Sequence, residues 1–189
     1  LYIEAGVRAV EIGAILADRD PVTRVNDYPE LELLRIFSAY GEIRNSKQLA
    51  REIVLKRKTR VIKTVGDLES VIEKVMRGDK RKYLAQLYQA IRIEVNDELG
   101  ALKEMLMSMP ELIREGGRLV VLSFHSIEDR VVKRFVKAGN IEGKVEKDAF
   151  GVALRPFKEV RKGIVLPGED ERRGNPRSKS AKMRIAEKI

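Results

Sequence analysis

Residues 116–135 read GGRLVVLSFHSIEDRVVKRF, and Val136 follows. Two glycines end a preceding helix, and Leu119 to Phe124 then form a run of β-branched and large apolar residues, too short for a helix. The run predicts a buried strand. Ser126, with Asp129 three residues on, has the spacing of a capping box, so a helix is expected to start at Ser126. Ile127, Val131, Val132 and Phe135 share one face of it, which must pack on the sheet that holds the strand. Strand, tight turn and helix together place Ser123, His125, Ser126, Glu128, Asp129 and Arg130 at the carboxyl end of a strand, where open α/β sheets bind ligands.

Composition narrows the classes around this unit. The chain has 189 residues, and 43% apolar content is enough for a core. It carries 38 Lys and Arg against 29 Asp and Glu, a net charge of +9 that favours a polyanionic partner such as nucleic acid. Cysteine is absent, which excludes disulfides and thiolate-ligated metals, and a single His leaves little for a transition metal, so no metal is expected. No apolar run suggests a membrane span and no charged-then-apolar leader suggests secretion, so the expected location is cytoplasmic. The chain opens on Leu1 rather than Met, which reads as a fragment of something longer.

Outward from the central unit, residues 1–20 place apolar residues at roughly helical spacing and suggest a helix. Residues 26–77 read as three short helices: a stripe of Leu33, Ile36, Phe37 and Tyr40 stopped by Gly41, a helix capped by Ser46, and one opened by Thr64 and Asp67 at capping-box spacing. Residues 44–63 hold eight cations and one acid, Glu52, a phosphate-binding surface in one reading and a solvated bundle face in the other. A single long helix is expected from about Tyr83 to Met107, with Asn96 and Asp97, poor helix formers, in its middle. A strand is expected within Pro156–Leu166, a polar loop over 167–180, and a closing edge strand over Lys182–Ile189. The expected division is an unassigned segment 1–25, a helical subdomain 26–82 and an α/β portion 83–189.

Particular blocks of residues carry a resemblance. QAIRIEVNDEL (89–99), GGRLVVLSFHSIEDRVVKRF (116–135) and NPRSKSAKMRIAE (175–187) resemble, in order and spacing, signature blocks of the ribosomal RNA small subunit methyltransferase H family, and residues 28–54 look like the first part of that family's helical insertion. The likeness spans about residues 26–189. It implies an α/β fold, namely the C-terminal half of a Rossmann-like class I methyltransferase sheet with an inserted all-helical subdomain. It also implies S-adenosyl-L-methionine as cofactor, methylation of N4 of a cytidine as reaction, and 16S ribosomal RNA or the small ribosomal subunit as partner. The family's glycine-rich loop ending in Gly-Gly-His, its ribose-binding acid and its Asp-Leu-Gly-Val-Ser block have no counterpart in this chain. The N-terminal cofactor-binding portion therefore reads as absent, and no cofactor-binding residue is assigned.

Methylating an exocyclic amine depends on holding the nitrogen in line with the methyl donor and accepting one proton. His125, Asp129 and Ser123 are the expected catalytic group, His125 because its ordinary pKa of about 6.5 lies near neutrality. Asn96, Asp97 and Ser126 are expected at the base, and Arg177, Lys179 and Arg184 at substrate phosphates. Arg57, Lys58 and Arg60 are expected on the RNA backbone. A hydrolase is disfavoured because no Gly-x-Ser-x-Gly elbow exists. Two alternatives stand beside this reading: His125 and Ser126 merely shape the turn while Asp129 pairs with Arg130 or an amide, or the chain is an RNA-binding module without catalysis.

Overall fold

The computed structural model describes residues 21–189, and side chains from residue 24 onward. The helix expected over 1–20 lies outside the described residues. The described chain divides into two compact units, one ending at Glu98 and one beginning at Leu99. The expected boundary at residue 82 thus moves to 98, because the helix that follows residue 79 buries its apolar face in the helical unit.

That unit contains α1 (Pro21–Asp27), α2 (Glu30–Ala39), α3 (Ser46–Arg57), α4 (Val65–Ile72) and α5 (Lys80–Asn96). Its core takes Leu33, Ile36 and Phe37 from α2, Leu49, Ala50 and Ile53 from α3, Leu68 and Ile72 from α4, and Tyr83, Leu87, Ala90 and Ile91 from α5. Each set recurs at three- and four-residue intervals, the period that puts side chains on one helical face. The capping box at Thr64 forms as its spacing predicts: the Thr64 hydroxyl accepts the Asp67 amide at 3.1 Å and the Asp67 carboxylate accepts the Thr64 amide at 3.0 Å. Gly41 is required by close approach, since a Cβ there would lie 2.9 Å from the Phe37 carbonyl oxygen and 3.0 Å from that of Gln86.

The single helix expected from Tyr83 to Met107 is instead two, α5 and α6 (Glu98–Leu112). The break falls at Asp97, whose φ of 49° and ψ of 39° are left-handed. Asp and Asn tolerate that conformation better than other residues with a side chain, so the poor helix formers mark the end of a helix and not its middle.

The unit from Leu99 onward holds β1 (Arg118–Ser123), α7 (Ser126–Ala138), β2 (Phe157–Glu159), α8 (Glu169–Gly174), a 3-10 turn (Pro176–Ser180) and β3 (Lys182–Lys188). The strand and helix expected at the central stretch are β1 and α7, but β1 ends at Ser123 and is buried on one face, through Leu119, Val121 and Ser123, while Leu122 and Phe124 are exposed. The sheet order is β1-β3-β2, and β3 is antiparallel to both neighbours, with Val120 opposite Ile185 and Lys158 opposite Glu187. The strand expected at an edge is therefore the middle one, and β1 and β2 run parallel to each other. Ile127, Val131, Val132, Phe135 and Val136 of α7 are buried, and the Phe135 ring lies 5.8 Å from that of Phe157 on β2. The polar loop expected over 167–180 carries α8 and the 3-10 turn, which three acids in the first turn and two arginines in the last support through the helix dipole.

Three tyrosines in the helical unit are held above their ordinary pKa. Burial, then the hydrogen bond to Glu69 at 3.0 Å and its charge, push the Tyr88 hydroxyl up to about 12. Burial is also the first cause for Tyr28, which donates to Glu94, and for Tyr83. A group whose folded pKa is raised stabilises fully below its unfolded value, here about 10, and that contribution is lost as pH climbs through the folded value. The Tyr88 contribution is expected to be kept to about pH 10 and lost toward about pH 12. Urea midpoints followed by circular dichroism measure this, and Tyr88→Phe should make the alkaline decline shallower.

Candidate active-site turn and its basic surround

The turn between β1 and α7 is built by different residues from those its spacing suggests. His125, with φ of −117° and ψ of 146°, occupies the cap position, and α7 begins one residue later. The Glu128 carboxylate accepts the amides of Phe124 at 3.0 Å and His125 at 3.2 Å. The expected box of Ser126 and Asp129 is thus displaced by one residue to His125 and Glu128. The reason lies in Asp129, whose carboxylate is occupied elsewhere.

Arg184 of β3 donates from Nε to Asp129 Oδ1 at 2.6 Å and from Nη2 to Oδ2 at 3.0 Å, while its Nη1 lies 3.5 Å from Glu159 at the end of β2. Only 7% of Arg184 is exposed. A planar guanidinium matches a carboxylate through two parallel bonds, and burial strengthens both. Arg184, expected at a substrate phosphate, has its fork filled from within the protein. Asp129 is paired across 55 residues of sequence.

The other expected residues fall in several places. Ser123 is buried and donates to the Lys182 carbonyl at 3.3 Å, tying the end of β1 to β3. His125 is half-buried and Ser126 exposed, both at the start of α7. Arg177 and Lys179 are exposed in the 3-10 turn, whose Asn175 side chain accepts the Arg177 amide. On the helical unit, Asn96 and Asp97 are exposed at the end of α5, and the Asn96 amide lies 3.3 Å from Glu98. Arg57 is half-buried and donates to the Val25 carbonyl at 2.8 Å, and Arg60 pairs with Asp67. Lys58 is exposed.

A cleft of about 600 Å³ lies beside the Arg184 pair, lined by Lys133 and Lys137 of α7, Arg155, Lys158, Lys162 and the Glu159 carboxylate. Sequence reasoning missed this group, because its cations are spread over 30 residues that fall on separate elements. Lys133 and Lys137, one turn apart on α7, were the available signal.

Residues 20–189 match the sequence profile of the MraW methylase family. The chain belongs to that family. It is 51% identical over 166 residues to the ribosomal RNA small subunit methyltransferase H of Parabacteroides distasonis, covering 87% of this chain and 54% of that protein. The namesake from Bacteroides fragilis is 50% identical over 165 residues, at 87% and 54% coverage, and that from Christiangramia forsetii 44% over 166 residues, at 87% and 55%. The chain spans about half the length of these curated relatives. In this member of the MraW methylase family, two of the sequence blocks, 116–135 and 175–187, meet through the Arg184 to Asp129 bonds.

Removing one partner of a buried pair leaves the other charge uncompensated, so Asp129→Ala should lower stability by about 3 kcal/mol, more than loss of a cap alone. Glu128→Ala should cost about 1 kcal/mol, the usual loss for a helix cap. Urea denaturation of both variants checks the order. Equal costs would mean that the Arg184 pair is no stronger than a capping contact.

Proposed function

We propose that the whole protein to which this chain belongs transfers a methyl group from S-adenosyl-L-methionine to N4 of a cytidine in 16S ribosomal RNA. The observation that carries the reading is the likeness to proteins named ribosomal RNA small subunit methyltransferase H over 87% of the chain, at about half identity. The sheet supports the same view, since an antiparallel strand inserted between two parallel ones suits the end of a Rossmann-like methyltransferase sheet. The helical unit corresponds to the insertion that the resemblance implies.

The residues described do not themselves fit the cofactor. Both carboxylates at the end of β1 are engaged, Glu128 with two amides and Asp129 with Arg184, so neither is placed to take a ribose. The neighbouring cleft is lined by cations, a donor set for phosphate that would repel a sulfonium. No cofactor contact is assigned to this chain, and no step is derived through that group.

What this chain contributes in the proposed reaction is position. The Arg184 to Asp129 bonds hold the first turn of α7 against β3, so His125 and Ser126 are presented from a fixed backbone. His125 is the proton-accepting candidate, and Ser126 offers a hydroxyl to the edge of a base taken out of its stack. Asp129, Ser123 and Arg184 act as positioning residues. Asn96 and Asp97 are candidates for base contacts on the helical unit. Arg177 and Lys179 are available to phosphates, as is Lys58, with Arg57 and Arg60 contributing charge from engaged positions.

Mass spectrometry of 16S ribosomal RNA from cells lacking the gene tests the reaction, with loss of one N4-methyl group on a cytidine as the expected result. An unchanged pattern of modification would falsify it. His125→Ala should lower the single-turnover rate of methyl transfer per folded molecule, by about a hundredfold or more if it accepts the proton, at unchanged RNA affinity.

A further inference from the structure

We propose that the cleft between α7 and the segment following β2 binds phosphate groups of an RNA strand, a second anchoring surface separate from the basic helical unit. The inference rests on the reading of ribosomal RNA as substrate and adds where part of its backbone is held.

Charge is the first argument. Lys133, Lys137, Arg155, Lys158 and Lys162 line the cleft with one acid, Glu159, which faces Arg184 at 3.5 Å. Arg184 in turn is saturated by Asp129. Lys158 reaches Glu187 at 3.5 Å, and Lys133, Lys137, Arg155 and Lys162 form no ion pair among the described residues. Four cations lining one cleft without ion-pair partners among the described residues repel one another, an arrangement that a polyanion relieves.

Shape and chemistry select the ligand. Lys133, Lys137, Lys158 and Lys162 are exposed, so the site suits an extended chain and not an enclosed mononucleotide. No aromatic among the described residues lines the cleft, and the contacts that its cations offer are to sugar-phosphate backbone. The framework is firm. Lys133 and Lys137 project from a helix whose other face is buried, and Gly139 ends that helix with φ of 78° where a Cβ would lie 3.0 Å from both Arg155 and Pro156. Helix end and Arg155 backbone are thereby held together, which fixes two sides of the cleft.

The test measures affinity for a 16S ribosomal RNA fragment by fluorescence anisotropy over a salt series, using the full chain. Lys133→Glu with Lys137→Glu should weaken binding and flatten the plot of log affinity against log salt by about 1.4 to 1.8, the loss of two phosphate contacts at about 0.7 to 0.9 each. Lys144→Glu with Lys147→Glu makes the same change in net charge on exposed positions outside the cleft and should leave the slope as it was. Lys133→Gln with Lys137→Gln, checked for an unchanged thermal midpoint, should flatten the slope as well and excludes misfolding as the cause. Equal slopes for parent and cleft variants, equal losses for both Glu pairs, no RNA binding by the parent, or displacement of RNA by polyglutamate at matched charge would each overturn the site. A cleft variant that binds like the parent, while gene deletion abolishes the cytidine methylation, removes the cleft and leaves the reaction standing. Persistence of the modification after deletion, with the slope change intact, does the reverse.

Discussion

One guanidinium organises the unit from Leu99 onward. Arg184 projects from the middle strand toward α7, takes both oxygens of Asp129 in the first helical turn, and faces Glu159 at the end of β2. It thus links the central strand, the helix and one outer strand through a single side chain. A cation this deeply buried would be costly alone, and a carboxylate beside it without the cation equally so. Together the two define where α7 starts relative to the sheet. That in turn releases the capping task to Glu128, which satisfies the amides of Phe124 and His125.

The helical unit is secured in a different way. Its core is aliphatic and aromatic, and its polar bonds lie at the margins and join segments far apart in sequence. Asn26 exchanges two bonds with the Ile62 backbone, Asn45 donates to the Val75 carbonyl, and Glu94 accepts from both Tyr28 and Arg35. Each of these satisfies a backbone or side-chain group that packing has partly removed from water. The desolvated tyrosines follow from the same burial, which is why their hydroxyls resist ionisation.

The net charge of +9 is unevenly available. Arg184, Arg60 and Arg35 are bonded to carboxylates, and Arg57 to a backbone carbonyl. Lysines at 133, 137 and 162 have no such partner among the described residues. Counting charges along the chain points to residues 44–63 as the basic surface. The cations left over after pairing add the cleft on the other unit, and that pairing is set by the tertiary fold.

Much of the architecture was written locally. The run Leu119–Phe124, the α7 face of Ile127, Val131 and Phe135, and the box at Thr64 and Asp67 follow from periodicity and capping chemistry, which act within a few residues. Asn96 and Asp97 carried the signal for a helix end, and the regular apolar spacing on either side concealed it. The sequence blocks likewise determined family membership. Tertiary structure decided what no window of sequence holds: that β3 lies between β1 and β2, that its alternation buries Arg184 and Ala186 and leaves Met183 and Ile185 partly exposed, and that Asp129 answers a residue 55 positions away. The physical reason is that a charged side chain reads as exposed until its partner is known, and pairing across a sheet is set by register and not by neighbours in the chain.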